Sequence, residues 1–271
     1  MSAGRISSER LERLAAELSD RDRQVVELLA TLHLASGRQL LRVLWPEASE
    51  SAARAARREL ARLTRQRVVA RLERRVGGLG RGSDAYTYAL DVAGQRLVGG
   101  SGARRPRLPR PAMWDHVLAG AEAYTCLHEG LRGSSVRLVT WQGEPACWRR
   151  YPGLYAQPQV VKPDAYVQLA SDGYPAGDGY LDSVVLEIDT GSQSSSVIRA
   201  KCEAYRLLRA SGTVQMGEDG VFPRVVFLCL STARQQFLVD VLSRLDPDIW
   251  QLFAVGQVSD VVRVLAPEVL A

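Results

Sequence analysis

Residues 51–90 read SAARAARRELARLTRQRVVARLERRVGGLGRGSDAYTYAL and join a helical pattern to two β-like runs. Residues 51–66 predict a helix because apolar side chains recur at helical spacing. These side chains are Ala53, Ala56, Leu60 and Leu63. The runs VVARLERRV (68–76) and AYTYAL (85–90) flank the glycine-rich turn GGLGRGSD (77–84). Two β-like runs around such a turn predict a hairpin.

Two shorter helices are predicted upstream of this stretch. The first begins after Ser19 and Asp22, which have the spacing of a capping box. The second is short and ends at Trp45-Pro46, because a proline ring cannot continue a helix. Helix, helix, arginine-bearing helix and hairpin is the order of a winged helix-turn-helix. The sequence therefore predicts a winged helix-turn-helix domain over residues 1–100.

The arginines of this region predict an interaction with double-stranded DNA. The major groove admits one helix, and guanidinium groups can fork to phosphates or to guanine edges. The predicted DNA-binding residues are Arg54, Arg57, Arg58, Arg62 and Arg65 on the helix, with Arg74, Arg75 and Arg81 in the hairpin. The alternative interpretation is a solvated basic helix in a protein-interaction module.

Charge is distributed unevenly along the 271 residues, whose net charge is +5. Residues 1–111 hold 22 arginines and no lysine against 12 acidic residues, whereas residues 112–271 hold 13 basic against 18 acidic residues. A basic first part followed by an acidic second part is typical of a polyanion-binding module joined to a second domain. The segment SGARRPRLPRP (101–111) predicts the linker between them, because it is rich in proline, glycine and arginine.

The second part, residues 112–271, alternates helical and strand patterns in the order α-β-β-β-α-β-α. This order predicts an α/β domain with a mixed central sheet. Four dispersed cysteines and three histidines argue against a zinc finger or a disulfide framework. We find no secretory signal and no membrane-length apolar segment, so we expect a cytoplasmic protein without a membrane partner.

Three acidic residues of the second part could share one site. Asp164 begins one predicted strand, while Glu187 and Asp189 end the next and point to the same face. Carboxylates placed together need a neutralising cation, and hard oxygen ligands suit Mg²⁺ or Mn²⁺. Such an ion can polarise a phosphodiester and activate a water molecule. Asp164, Glu187 and Asp189 are therefore the predicted metal ligands.

Lysine is rare in this chain and occurs near these acids. The sequence has 33 arginines but only two lysines, Lys162 and Lys201. A compact ammonium group can stabilise a phosphate or its leaving group in a way that a guanidinium does not. Chance placement of two residues is the alternative explanation.

The motif Pro163-Asp164, Glu187-x-Asp189 and Lys201 resembles a variant of the PD-(D/E)XK nuclease constellation. The longer phrases LSDRDRQVVELLATLHLASGRQL (18–40), WDHVLAGAEAY (114–124) and VVLEIDTGSQS (184–194) are similar to the replication-relaxation family of bacterial plasmids and integrative elements. The resemblance covers roughly residues 19–235. It implies a PD-(D/E)XK nuclease-like domain over residues 112–271.

The resemblance also implies roles for individual residues. Asp164 and Glu187 would hold the metal, and Lys201 would replace the motif lysine from the following helix. Asp189 stands where that lysine usually lies, so it is either a further metal ligand or a partner of Lys201. Glu122 could supply an additional acid. Tyr205, four residues after Lys201, could contact DNA or act as a nucleophile, but such a tyrosine is more often part of the core.

Two functions follow from these expectations. The first is a plasmid or integrative-element protein that nicks or relaxes DNA at a specific site by metal-dependent phosphodiester hydrolysis, with Asp164, Glu187, Asp189 and Lys201 as catalytic residues. The second is a catalytically inactive DNA-binding regulator of replication or transcription, whose nuclease-like domain serves dimerisation. A homodimer and other plasmid-processing proteins are the further partners that the sequence leaves open.

Overall fold

The structure is a computed structural model, and it describes residues 6–47, 49–72, 86–99, 108–153, 156–217 and 220–270. Arg74, Arg75 and Arg81 lie outside the described residues, as does most of the predicted linker. The chain divides into two compact units, residues 1–125 and residues 126–271. The domain bounds drawn from the sequence stay a prediction.

Unit 1 is mainly helical and contains a small sheet. Its elements, in chain order, are α1 (Ser8–Glu17), α2 (Asp20–Leu32), β1 (Ala35–Ser36), α3 (Gly37–Leu44), α4 (Glu50–Arg65), β2 (Val69–Leu72), β3 (Thr87–Leu90), α5 (Val92–Leu97) and α6 (Trp114–Gly130). The boundary between the units falls within α6.

Side-chain caps define where the helices of unit 1 begin. Ser19 and Asp22 form the predicted capping box at the start of α2, and Ser36 and Gln39 form a second one at the start of α3. The Ser49 hydroxyl accepts a hydrogen bond from the Ala52 amide at 3.1 Å and caps α4. Such caps satisfy amide groups that have no partner within the helix.

The three short strands of unit 1 pair in the order β1-β3-β2, and both pairings are antiparallel. Ala35 of β1 lies opposite Tyr88 of β3, and Val69 of β2 lies opposite Leu90 of β3. The chain therefore passes from α4 into β2 and returns along β3 between the other two strands. The predicted hairpin is present in those of its residues that the structure describes.

Unit 2 is an α/β unit. Its elements are β4 (Val136–Gly143), β5 (Arg149–Pro152), β6 (Pro158–Val161), β7 (Ala165–Ser171), β8 (Leu181–Asp189), α7 (Ser195–Ala210), α8 (Thr213–Gly217), β9 (Arg224–Cys229), α9 (Thr232–Leu242), α10 (Pro247–Trp250), β10 (Phe253–Gln257) and α11 (Val261–Leu265).

The described residues of unit 2 form a five-stranded mixed sheet in the order β10-β9-β8-β7-β4. Strands β8, β9 and β10 run parallel, whereas β7 and β4 are antiparallel to their neighbours. The predicted α/β class with a mixed central sheet is confirmed. Strand β8 lies in the middle of the sheet, and its last six residues are all buried. Any charged side chain on that segment must therefore find a partner inside the protein.

The sequence around Pro163 forms two strands, of which only the one that follows Pro163 was predicted to begin there. Strand β6 ends at Val161, and β7 begins only at Ala165. Proline lacks an amide hydrogen and cannot donate to a sheet, so Lys162-Pro163-Asp164 separates the two strands. Strand β6 pairs instead with β5 in a two-stranded hairpin. No described helix is both long and apolar enough to cross a membrane.

Candidate functional site

Helix α4 has one buried face and one exposed face. Its buried residues are Ala52, Ala56, Leu60 and Leu63. Three of them were predicted, but Ala52 is buried in place of Ala53, which is only half-buried. The exposed face carries Arg54, Arg57, Arg58 and Arg65. Arg58 and Arg65 make no side-chain hydrogen bond or ion pair with any described residue. Two fixed positive charges are thus left unpaired on this face.

The other two exposed arginines make only weak local contacts. Arg54 lies 3.5 Å from Glu50, and both side chains are largely exposed. Arg57 donates to the carbonyl oxygen of Ala53 at 3.1 Å, and no acidic partner for its charge occurs among the described residues. Exposed pairs of this kind contribute little to stability, so these arginines can exchange their contacts for those of a ligand.

Arg62 differs from the other arginines of α4. Its guanidinium pairs with Asp22, whose side chain is only 1% exposed and belongs to α2. Burial alone would raise the pKa of Asp22, but the hydrogen bonds from Arg62 and Ser19 lower it. The structure therefore places Arg62 as a cross-link between α2 and α4. Its predicted DNA contact stays a prediction.

Glu59 lies beside this pair, and the direction of its pKa shift predicts a pH-dependent contribution to stability. Burial raises the pKa of Glu59 to about 7, and the neighbouring Asp22 adds to the rise. Its Oε1 atom is buried without a hydrogen-bond partner among the described residues. A carboxyl group whose pKa is raised on folding contributes stability below its ordinary pKa of 4.5, and that stability is lost as pH rises to about 7.

We expect the Glu59→Gln variant to lose this part of the pH dependence, because glutamine stays neutral throughout. Relative to the wild type, the variant should gain stability between pH 4.5 and pH 8. Urea denaturation at both pH values measures the difference. A matched Glu12→Gln change on the exposed side of α1 should keep the wild-type pH dependence. Parallel curves for the wild type and Glu59→Gln would contradict the assignment.

In unit 2, the start of β7 and the end of β8 bring Asp164 next to Glu187. The Asp164 amide donates to the carbonyl oxygen of Leu186 at 3.0 Å. The Oδ2 atom of Asp164 accepts a hydrogen bond from the Ile188 amide at 2.6 Å. These contacts are made to the residues on either side of Glu187 in β8. Asp164 and Glu187 therefore lie close together, as predicted.

Glu187 is buried, and both of its carboxylate oxygens have partners on α7. Its Oε2 atom lies 2.5 Å from Nζ of Lys201, and its Oε1 atom accepts a hydrogen bond from the Tyr205 hydroxyl at 2.5 Å. Lys201 and Tyr205 are four residues apart, so they lie on one side of the helix and reach the same carboxylate. The Lys201 side chain as a whole is 30% exposed.

The charges of this site influence one another. Burial raises the pKa of Glu187 to about 7, and Asp164 adds to the rise, while Lys201 and Tyr205 oppose it. Burial alone would lower the pKa of Lys201, but the charge and hydrogen bond of Glu187 outweigh this effect and raise it. The pKa of Tyr205 is well above its ordinary value because the hydroxyl is buried beside Glu187. Together these residues form a hydrogen-bonded cluster of one carboxyl, one ammonium and one hydroxyl group.

Asp189 does not share the partners of Glu187. Arg234 of α9 donates to both of its carboxylate oxygens, at 3.1 Å from Nε and 2.7 Å from Nη2. The Gly191 amide donates to Oδ1 at 2.6 Å. Arg234 also donates to the carbonyl oxygen of Gln193 at 2.5 Å, so it holds the turn that leads into α7. The pairing of Asp189 with Lys201 that the sequence left open is replaced by one with Arg234.

Three other residues singled out by the sequence take different places. Lys162 is exposed and lies over the ring of Trp148, with its Nζ 4.5 Å from the ring centroid. Glu122 belongs to unit 1, where Gln39 and Arg42 of α3 both donate to it. Tyr205 is only 1% exposed and donates to Glu187, which makes it a positioning residue rather than an accessible nucleophile.

Sequence reasoning missed Arg234 and the β5–β6 hairpin. Arg234 is 45 residues from Asp189, and it resembles the chain's many other arginines. The one local signal is its position three residues after Ser231, the N-cap of α9. For the hairpin, the signal is Pro163, which ends strand character before Asp164.

The comparison with known families agrees with this architecture. A family model described as replication-relaxation matches residues 26–225, which is more than half of the chain. This chain belongs to the replication-relaxation family. The resemblance drawn from the sequence is thereby confirmed, and membership suggests a role in the replication or relaxation of a plasmid or related element. No significant match was found among curated proteins or among solved structures.

The acids of this replication-relaxation protein fit a metal ion only in part. No group of three or more histidine, cysteine, aspartate or glutamate side chains is placed to hold a metal within the described residues. Asp189 is already bound by Arg234 on both oxygens. Asp164 and Glu187 remain, and Mg²⁺ is commonly bound by one or two carboxylates with water and substrate oxygens. Each Glu187 oxygen retains a lone pair besides its hydrogen bond.

Proposed function

We propose that this replication-relaxation protein binds duplex DNA through a winged helix-turn-helix in unit 1. Helices α2, α3 and α4, followed by the β2 and β3 strands, occur in the order that this motif requires. The strand order β1-β3-β2 supports the same interpretation, because β2 and β3 emerge side by side after α4. Helix α4 is the element that would enter the major groove.

The observation that carries this proposal is the exposed arginine face of α4. Arg54, Arg57, Arg58 and Arg65 lie on that face, and two of them are unpaired among the described residues. Within the described part of unit 1, the packing of α4 is made by its opposite, buried face. Phosphate groups of DNA are the ligand that complements such a face.

Replacing Arg58 and Arg65 together by alanine should weaken binding to duplex DNA about tenfold to fiftyfold at moderate salt. The plot of log association constant against log salt concentration should become less steep by about two units of slope, because two phosphate contacts are lost. Fluorescence anisotropy with labelled duplexes measures both quantities.

The matched control is the Arg10→Ala, Arg13→Ala variant. It removes the same charge from exposed positions of α1 in the same unit. An equal loss of affinity in the two double variants would show that α4 has no special part in binding. It would contradict the proposal.

A second candidate function concerns unit 2 and rests on the meeting of Asp164, Glu187 and Lys201. In the PD-(D/E)XK arrangement that the sequence resembles, two acids and a lysine act on a phosphodiester. Here Asp164 directly precedes β7, Glu187 belongs to β8, and the lysine comes from α7. A Mg²⁺ or Mn²⁺ ion held by Asp164 and Glu187 would supply the Lewis acid for hydrolysis of one DNA strand.

Each residue of this cluster has a part in the second candidate function. Lys201 neutralises Glu187, and its partly exposed side chain can approach a negatively charged phosphate. Tyr205 fixes the orientation of Glu187 from the buried side. If supercoiled DNA is nicked neither with Mg²⁺ nor with Mn²⁺, unit 2 is instead the inactive domain of a DNA-binding regulator.

A further inference from the structure

The hairpin formed by β5 and β6 has two faces of different character. Arg149 pairs with Val161, Arg150 with Val160, and Tyr151 with Gln159. Because side chains alternate across a strand, Tyr151 and Val161 share one face and Arg150 and Val160 share the other. We refer to the second of these as the outer face of the hairpin.

The inner face belongs to the core of unit 2. Tyr151 and Val161 are buried in the same hydrophobic cluster as Tyr205. Both strands of the hairpin contact α7, the helix that carries Lys201. The hairpin is therefore anchored to the helix that presents the candidate site.

The outer face carries two exposed cations beside the ring of Trp148, which is partly buried and also packs against the core cluster. If the alternation of side chains is continued by one residue beyond each strand, Trp148 before β5 and Lys162 after β6 also belong to this face. Lys162 Nζ lies 4.5 Å from the centroid of the Trp148 ring across the hairpin. Arg150 and Lys162 are exposed, and Val160 between them is 42% exposed.

Neither of these two cations has an acidic partner within the described ranges. Arg150 makes no side-chain hydrogen bond or ion pair there, and the contact of Lys162 is with the Trp148 ring. The Trp148 Nε1 atom donates to Glu144 Oε1 at 3.2 Å, so a carboxylate also borders the ring. Exposed cations beside an aromatic ring are a chemistry by which proteins hold a nucleic-acid strand. A protein partner that covered the exposed valine would have to supply acids for both cations.

The outer face is also tied directly to the candidate site. The Cys147 thiol donates to the carbonyl oxygen of Pro163 at 3.0 Å, which links the start of the hairpin to the residue before Asp164. Lys162 itself is two residues from Asp164 along the chain. The outer face therefore ends close to Asp164 along the chain.

We propose that the outer face of the β5–β6 hairpin binds a single DNA strand at the Asp164–Glu187 site. Arg150 and Lys162 contact its phosphates, and Trp148 lies against the adjacent nucleotide. This inference rests on the proposed function of the protein as a DNA-binding protein, and it adds a second DNA contact that is separate from α4.

The test compares two double variants of the full chain. Arg150→Ala with Lys162→Ala removes the outer-face cations, while Arg209→Ala with Arg244→Ala removes two other exposed arginines of unit 2. Binding of a labelled 20-nucleotide single strand is measured by anisotropy over a series of salt concentrations. We expect the first variant to weaken binding about tenfold and to lower the salt slope by about 1.4, and the second to change little.

A matched duplex distinguishes the failure of this inference from the failure of the proposed function. The inference would be overturned if the two double variants weakened single-strand binding equally. It would also be overturned if Arg150→Ala with Lys162→Ala weakened duplex binding more than single-strand binding. Duplex binding that still depends on Arg58 and Arg65 would then leave the proposed function intact. Circular dichroism confirms that both variants are folded, since all four side chains are exposed.

Discussion

Replacing Arg234 by methionine is expected to lower the free energy of unfolding of this protein by about 3–5 kcal/mol. Arg234 holds both oxygens of Asp189, and the two side chains are only 14% and 2% exposed. The variant leaves a buried carboxylate without its counter-charge, and it also frees the carbonyl oxygen of Gln193. Urea denaturation followed by circular dichroism measures the loss.

The control for this prediction is the Arg224→Met variant. Arg224 pairs with Asp182 in the same unit, but these side chains are 45% and 29% exposed. Removing an exposed pair costs at most about 1 kcal/mol. In addition, Asp189→Asn combined with Arg234→Met should recover much of the loss, because asparagine is neutral and still accepts from the Gly191 amide. Equal destabilisation by Arg234→Met and Arg224→Met would contradict the prediction.

If unit 2 nicks DNA, the Glu187→Gln variant should lose nicking by about 10²–10⁴-fold, the range expected when a group acting in general acid–base or electrostatic catalysis is removed. Glutamine keeps the size of the side chain and an oxygen that accepts from Tyr205, so folding should be retained. The charge that holds Lys201 is lost. Conversion of supercoiled to open-circular DNA with Mg²⁺ or Mn²⁺ measures the effect.

Two further variants sharpen this second prediction. Asp182→Asn removes a carboxylate at the opposite end of β8 and should leave nicking unchanged. Tyr205→Phe should lower nicking by a smaller factor than Glu187→Gln, because it removes an orienting hydrogen bond and no charge. Nicking by Glu187→Gln at the wild-type rate would remove Glu187 from the reaction, whereas duplex binding should be unaffected in all three variants.

Much of unit 1 was predictable because its signals are local. The capping box of Ser19 and Asp22 and the apolar spacing of α4 depend on residues three or four positions apart. Such patterns determine helix starts and buried faces without knowledge of the rest of the chain. Arg62 is the exception in α4, because only the packing of α2 brings Asp22 within its reach.

The candidate site of unit 2 was predictable only in part. The i, i+2 relation of Glu187 and Asp189 predicts that their side chains share one face of β8, and in the structure both are buried. It does not say which cation each of them meets, since Lys201 comes from α7 and Arg234 from α9. Each acid is therefore neutralised by a different helix, whereas the sequence pattern predicted that the acids form a single cluster.

The sequence by itself determined the family, the α/β class of the second unit and the arginine face of α4. These properties depend on residue order and on spacing within single elements. The tertiary structure decided the partners of the buried acids, the burial of Tyr205 and the outer face of the β5–β6 hairpin. The physical reason is that a buried charge is neutralised by whichever side chain the fold brings within about 3 Å, at any separation along the chain.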